Sequence, residues 1–195
     1  AINWFDNRLL FTREEIEPRM EFKDLKLTWS EYDLIYKNFK YIMKSTASLT
    51  QDEVMMKLFE FLKSNDNARH ALQSEIRHIC VDEFQDTTPL QYNIIKLLKA
   101  PTTGITVVGD ADQSIYRWRG ATNIIYDFMR DFEDREEVQM DINYRCPDVI
   151  IDCANALIRN NSLRVDIKAR GTGKEGKISI IPCTSNKQAS MEIGN

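Results

Sequence analysis

Glycine is scarce in this sequence and missing from its first part. The 195 residues contain seven glycines, and none of them lies in residues 1–77. A glycine-rich loop that wraps around phosphate groups is therefore excluded from that segment, because such a loop brings its backbone N–H groups close to the ligand. Long apolar runs are also missing: no run approaches the roughly 18 residues of a membrane-spanning helix, and the first residues lack the pattern of a secretory signal.

Cysteine and histidine are few and widely spaced, which disfavours a zinc site. The four cysteines form no C-x-x-C pair, and only two histidines are present. The cysteines are Cys80, Cys146, Cys153 and Cys183. This usage is typical of reduced, mostly buried thiols, so we expect a cytoplasmic protein.

Acidic residues outnumber basic ones, 30 to 26, in a chain with 43% hydrophobic and 29% charged residues. The composition predicts a folded globular protein, and a pI near 5.3 argues against coating duplex DNA through bulk charge. The charge is uneven: residues 127–141 carry seven acids and two bases, whereas 159–177 carry six bases and two acids. The basic segment is either a solvated face or a place that contacts phosphates.

The first third of the chain is predicted to be helical. From Ser30, apolar residues recur at three- and four-residue spacing, and we interpret Ser30 and Asp33 as a capping pair. A second helix is expected to open at Thr50, with Glu53 as its capping partner, and to stop near Asn65.

From His78 onwards, short apolar runs alternate with helical patterns. The predicted helices begin at Pro89, Ala121 and Pro147, and the predicted strands are 79–81, 105–108, 138–141 and 178–181. Strands that alternate with helices at this spacing indicate an α/β protein with a parallel sheet and flanking helices.

The segment H-I-C-V-D-E-F-Q-D-T, residues 78–87, is an apolar strand that ends in two acidic residues. In nucleotide hydrolases, one carboxylate holds Mg²⁺, usually through water, and a neighbouring carboxylate orients and deprotonates the attacking water. An apolar strand that ends in Asp–Glu is more often an ordinary solvated strand end. The continuation Phe84–Thr87 makes the pattern more specific.

Two further motifs follow. In V-V-G-D-A-D-Q-S-I-Y-R-W-R-G-A, residues 107–121, Gln113 is placed to reach a phosphate, and two aromatic residues alternate with arginines, which suits stacking on unpaired bases. Isolated aromatics at this spacing are more often packing residues. In N-Y-R, residues 143–145, an arginine can stabilise charge on a transferred phosphoryl group, although a surface arginine is the simpler interpretation.

The three motifs, in this order and at this spacing, resemble those of the superfamily 1 DNA helicases of the UvrD/Rep/PcrA type. The resemblance covers about residues 76–161, and its middle motif is long and specific. It implies a RecA-like parallel sheet with flanking helices, preceded by a mainly helical insertion. It also implies an enzyme that uses ATP and Mg²⁺ to walk 3′→5′ on single-stranded DNA and to open duplex junctions.

The resemblance implies a role at each matching position. Asp82 would hold Mg²⁺ and Glu83 would be the general base, while Gln113 would sense the γ-phosphate. Tyr144 would pack against the adenine and Arg145 would contact the γ-phosphate. The residues that would contact single-stranded DNA are Tyr116, Trp118 and Arg119.

The family's phosphate loop, G-x-x-x-x-G-K-[ST], is not found before Asp82. A near-match at Gly171–Lys177 lacks the hydroxyl residue, because Ile178 stands there, and we interpret it as a glycine turn. The family's later motifs, including a second arginine that contacts phosphate, are also not found. We therefore expect the isolated chain to be inactive as an ATPase. Cys146 follows the N-Y-R motif where the family often has a hydroxyl residue, which bears only on the subfamily.

The chain begins at Ala1 rather than Met, and we expect it to be an internal piece of a longer helicase. The expected parts are a helical segment (1–77), the second half of a first RecA-like domain (78–142) and the start of a second (143–195). Two alternatives stay open: a segment of a RecB/AddA-type helicase–nuclease subunit, and a stand-alone DNA-binding remnant without catalysis.

Overall fold

The computed structural model describes residues 13–16, 27–115, 124–161, 168–185 and 190. The chain divides into two compact units, Ala1–Arg135 and Glu136–Asn195, and each is described by itself. Within the described ranges, no helix combines the length and the apolar character needed to cross a membrane.

The first unit begins with helices. They are α1 (Arg13–Ile16), α2 (Trp29–Ser45), α3 (Gln51–Ser64) and α4 (Asp66–Glu75). The helical prediction for this part of the chain is confirmed over the described residues, but the predicted start of α2 is wrong. Thr28 caps α2 together with Glu31, whose carboxylate accepts a hydrogen bond from the Thr28 N–H at 2.7 Å. Ser30 already lies inside the helix, and Asp33 pairs with Lys37 at 2.7 Å instead.

The predicted cap of α3 is confirmed. The Thr50 hydroxyl accepts from the Glu53 N–H at 3.1 Å, and the Glu53 carboxylate accepts from the Thr50 N–H at 3.0 Å. Lys40 of α2 also pairs with Glu53 at 2.9 Å, which ties the two helices together. Burial opposes ionisation of Glu53, but the Thr50 N–H and the Lys40 ammonium outweigh it and lower the pKa of Glu53.

Two strands form a parallel pair, as the sequence predicted. They are β1 (His78–Val81) and β2 (Gly104–Val107), with His78 opposite Gly104 and Val81 opposite Val107. The connection between them carries α5 (Pro89–Leu98), which opens at a capping box formed by Thr88 and Gln91. The mixed α/β class is therefore confirmed, and a complete RecA-like sheet stays a prediction.

The apolar faces of these elements form two clusters. One contains Phe84 and Tyr92 with Ile124 and Phe128 of α6 (Ile124–Asp131). The other consists of Leu62 of α3 with Leu90 and Ile94 of α5. Alternation along β1 directs Ile79 and Val81 inward and leaves Cys80 on the outer face.

The expectation of mostly buried cysteines is wrong. All four are free thiols; Cys80 and Cys153 are exposed, and Cys146 and Cys183 are partly exposed. Cys80 is exposed because strand alternation places it opposite the buried side of β1.

The second unit contains the helix α7 (Asp148–Ile158), which starts just after Pro147 as predicted. The two predicted strands at 138–141 and 178–181 are wrong: both segments are described, and neither forms a strand. A single parallel bridge joins Ile142 to Arg170. Val138 is 77% exposed and Ile180 is 92% exposed, because no neighbouring strand covers them among the described residues of this unit.

Candidate active site

The carboxyl ends of β1 and β2 meet at one edge of the parallel pair. The Val108 N–H donates to the Val81 carbonyl at 2.8 Å, and the Phe84 N–H donates to the Val108 carbonyl at 2.9 Å. These bonds continue the pairing beyond both strands. Asp82 and Glu83 therefore leave β1 beside the point where Gly109 and Asp110 leave β2.

Glu83 has a left-handed backbone, with φ of 49° and ψ of 43°. This conformation is unfavourable for a residue with a Cβ, by about 1–3 kcal/mol, and persists only where the surroundings fix it. The Asp82 carboxylate accepts from the Glu83 N–H at 2.9 Å, and Phe84, which follows, is fully buried. The turn leaves both acidic residues exposed at the sheet edge.

Gln85 is a buried amide, 3% exposed, that contacts both strand ends. Its Nε2 donates to Glu83 Oε2 at 2.7 Å, and its Oε1 accepts from the Asp110 N–H at 3.0 Å. The Ser114 hydroxyl donates to the Gln85 carbonyl at 3.3 Å. Gln85 lies within the first motif, but its residue type alone predicted no role for it. An uncharged amide between acidic residues is the one feature of the sequence that distinguishes this position.

Asp110 organises the turn that contains Gln113. Its Oδ1 accepts from the Asp112 N–H at 3.0 Å, and its Oδ2 accepts from Gln113 Nε2 at 2.7 Å. Gln113 is exposed in a short 3₁₀ turn, Ala111–Gln113. The structure thus brings Asp82, Glu83 and the turn with Gln113 to one edge.

The predicted DNA-contacting residues Tyr116, Trp118 and Arg119 lie outside the described residues. Their roles stay predictions from the sequence.

The N-Y-R segment lies in the second unit and forms a turn around Asn143. The Asn143 Oδ1 accepts from the N–H groups of Arg145 and Cys146, both at 2.9 Å. Lys174 Nζ donates to the Arg145 carbonyl at 2.9 Å. The Tyr144 side chain is 75% exposed and Arg145 is exposed, so the turn presents both to solvent.

The near-match at Gly171–Lys177 is a turn beside the start of α7. Asp148 Oδ2 accepts from the Gly173 N–H at 3.1 Å, and the Lys174 carbonyl accepts from the Asp148 N–H at 3.0 Å. Gly173 has a φ of 83°, which favours glycine. In the described part of this segment, no helix follows the glycines, so the geometry of a phosphate loop is not formed there.

Comparison with known proteins identifies the family. A family model of the UvrD/REP helicase N-terminal domain matches residues 4–133. A probable DNA helicase II homolog of Mycoplasma capricolum is 30% identical over 98% of the chain, and ATP-dependent DNA helicase PcrA of Leuconostoc citreum is 37% identical over 83%. ATP-dependent DNA helicase Rep of Salmonella typhimurium is 40% identical over 61%. The chain spans 28%, 22% and 18% of the lengths of these relatives, respectively.

Proposed function

The chain belongs to the UvrD/REP helicase family, and on this premise we propose that the protein containing it is an ATP-dependent DNA helicase. It would move 3′→5′ on single-stranded DNA and separate duplex at junctions, acting in the cytoplasm. The observation that carries the proposal is the shared sheet edge, where Asp82, Glu83 and the turn with Gln113 lie together.

The acidic residues at this edge fit a magnesium–nucleotide site. Carboxylate oxygens are the ligands that Mg²⁺ prefers, and Asp82 would hold the ion, usually through water. When bound, Mg²⁺ neutralises charge on the β- and γ-phosphates. Two further polar side chains at this edge are Glu83, which would contact the attacking water, and Gln113, which would contact the nucleotide.

Glu83 would act as the general base. Its exposed carboxylate would accept a proton from the water that attacks the γ-phosphorus, while the bond to the leaving oxygen of ADP breaks. Gln113 would sense the γ-phosphate from the neighbouring turn. Its hydrogen bond to Asp110 supports this role, because it gives the side chain a defined orientation before a nucleotide binds.

The second unit would supply further nucleotide contacts. Arg145 would contact the γ-phosphate and stabilise charge that develops during transfer, and Tyr144 would pack against the adenine. The exposure of both side chains on a turn fixed by Asn143 supports these roles.

The DNA contacts would come from Tyr116 and Trp118, which would stack on unpaired bases, with Arg119 beside the strand. Stacking on aromatic side chains contributes roughly 1–3 kcal/mol per base and accepts any base, which suits an enzyme that moves along DNA. The alternation of aromatic and basic residues in the sequence supports this assignment.

The test is Glu83→Gln in the full-length protein, because we expect the 195-residue chain alone to be inactive. The change should abolish DNA-stimulated ATP hydrolysis and leave single-stranded DNA binding within about twofold of the unchanged protein, since only the proton acceptor is removed. Hydrolysis is measured by phosphate release and binding by fluorescence anisotropy of a labelled oligonucleotide.

The matched control is Glu75→Gln, which makes the same charge change on an exposed residue at the end of α4. It should leave hydrolysis unchanged. Equal, measurable hydrolysis by Glu83→Gln and the unchanged protein would contradict the proposed base, whereas an unchanged protein that binds DNA without hydrolysing ATP would favour a DNA-binding remnant. Turnover by the isolated chain would contradict its expected inactivity.

A further inference from the structure

Gln85 joins the two strand ends through one buried amide. Its Nε2 donates to Glu83 Oε2 at 2.7 Å, and its Oε1 accepts from the Asp110 N–H at 3.0 Å. We call these three residues, connected by the two hydrogen bonds, the Gln85 link. A buried amide whose two ends have partners is rigid, because losing either partner leaves a polar group without water or protein to bond.

The Gln85 amide occupies the space that a side chain at position 109 would need. A Cβ built on Gly109 would lie 2.7 Å from Gln85 Oε1 and 3.1 Å from the Gln85 backbone nitrogen. Residue 109 therefore has no room for a side chain while the amide is in place. Glu83 approaches the amide from a left-handed turn, which sets the direction of its side chain.

The link also extends to Gln113. Asp110 donates its N–H to Gln85 and accepts from the Gln113 side chain with its carboxylate at 2.7 Å. A continuous path of hydrogen bonds thus runs from the Glu83 carboxylate through Gln85 and Asp110 to Gln113. A shift of the turn after β2 would be transmitted to the carboxylate after β1 through a single side chain.

We propose that Gln85 is a positioning residue that orients the Glu83 carboxylate for hydrolysis and couples it to the turn bearing Gln113. This inference rests on the proposed ATPase function. Gln85 acts through Glu83 and Asp110, without contacting the nucleotide. Its loss should slow the hydrolysis of bound ATP and leave ATP affinity nearly unchanged.

The test uses Gln85→Leu in the full-length protein. The single-turnover rate constant for hydrolysis of bound ATP should fall about 10- to 100-fold, the range typical of groups that orient a catalytic ligand or side chain. This rate constant does not depend on the fraction of folded molecules. The dissociation constant for ATP should stay within about twofold.

A second readout needs no nucleotide. Hydrogen exchange at the Asp110 N–H should become faster in Gln85→Leu, because the acceptor of that N–H is removed. The matched control is Gln91→Leu, since the Gln91 Oε1 accepts from the Thr88 N–H at 2.9 Å in a comparable bond. The control should speed exchange at Thr88 only and leave the hydrolysis rate constant unchanged.

Gln85→Glu keeps the length and the acceptor of Gln85 but removes its donor to Glu83. Hydrogen exchange at the Asp110 N–H should stay slow, whereas the single-turnover rate constant for ATP hydrolysis should still fall about tenfold or more. If Gln85→Leu does not fold, this variant tests the positioning role by itself. If the unchanged protein is active and both variants hydrolyse ATP within twofold of its rate, the positioning role of Gln85 alone is overturned. An unchanged protein that does not hydrolyse ATP would overturn the proposed function.

Discussion

Similar apolar segments form a strand in the first unit and no strand in the second. In the first unit, Ile79–Val81 pairs with Ile105–Val107, and three residues of these segments (Val81, Ile105 and Val107) pack against the buried cluster that contains Phe84. In the second unit, Ile178 and Ile180–Ile181 form a comparable apolar run, but no strand pairs with it among the described residues, and Ile180 is 92% exposed. Strand propensity therefore produced a strand only where a second strand and a covering helix were available.

The candidate site residues differ in the same way. In the first unit, Glu83 is held by a buried amide and a turn with a defined left-handed backbone. In the second unit, Tyr144 and Arg145 lie on an exposed turn that one asparagine side chain organises. Side chains bonded to a packed core are oriented before a ligand arrives, whereas exposed side chains become ordered on contact with one.

The largest expected effect is that of Phe84→Ala. Phe84 is fully buried and makes edge-to-face contacts with Tyr92 and Phe128, at centroid distances of 5.8 and 5.4 Å. Its removal should lower the free energy of unfolding of the first unit by about 3–5 kcal/mol, through lost transfer energy and a residual cavity. Urea unfolding measures this. The control Phe61→Ala removes a half-exposed ring and should have a much smaller effect; equal effects would contradict the assignment of the core.

An intermediate effect is expected for Asp131→Asn. The Asp131 carboxylate accepts from the Tyr92 hydroxyl at 3.0 Å and pairs with Lys96 at 3.1 Å. Burial opposes its ionisation, but the hydrogen bonds from Lys96 and Tyr92 outweigh it and hold the pKa of Asp131 below its ordinary value of 3.8. The substitution should lower the free energy of unfolding by about 1 kcal/mol at pH 7.

The pH dependence of that difference sharpens the prediction. Because the folded state favours the ionised carboxylate, its contribution is complete above the unfolded value of 3.8 and is lost as the pH falls through the lower, folded-state value. The free energies of unfolding of the unchanged protein and of Asp131→Asn should therefore differ at pH 7 and become equal in strong acid. Unfolding curves measured at both pH values test this. The control Asp127→Asn affects a pair with exposed Arg130 and should change stability little. A pH-independent difference for Asp131→Asn would contradict the assignment.

The smallest effect is expected for Ile180→Ala. Since Ile180 is 92% exposed, the substitution should change the free energy of unfolding by less than about 0.5 kcal/mol. Thermal unfolding followed by circular dichroism provides the measurement. A loss of 1 kcal/mol or more would show that this segment packs against something, and the contrast between the two units would fail.

Local signals predicted much of the fold. Thr50 with Glu53 and the proline Pro89 marked helix starts that the structure confirms. A capping box joins residues only three positions apart, and proline suits the first helical position, so both signals are local. The start of α2 was nevertheless misplaced, although Thr28 with Glu31 matches the Ser/Thr-x-x-Glu capping box and Ser30 with Asp33 does not.

Non-local signals were less informative. The sequence predicted Asp82, Glu83 and Gln113 as site residues, since each follows an apolar run. The contact between Gln85 and Asp110 could not be predicted, because the two residues are 25 positions apart in the chain. Only the pairing of β1 with β2 brings these two residues together.

The sequence by itself determined the family, the cap of α3 and the identity of the candidate catalytic carboxylates, because these depend on residue types at short spacing. The tertiary structure decided which apolar runs became strands, which cysteines were exposed and which amide holds Glu83. Those outcomes depend on contacts between distant segments, whose free energy is gained only when the chain has folded.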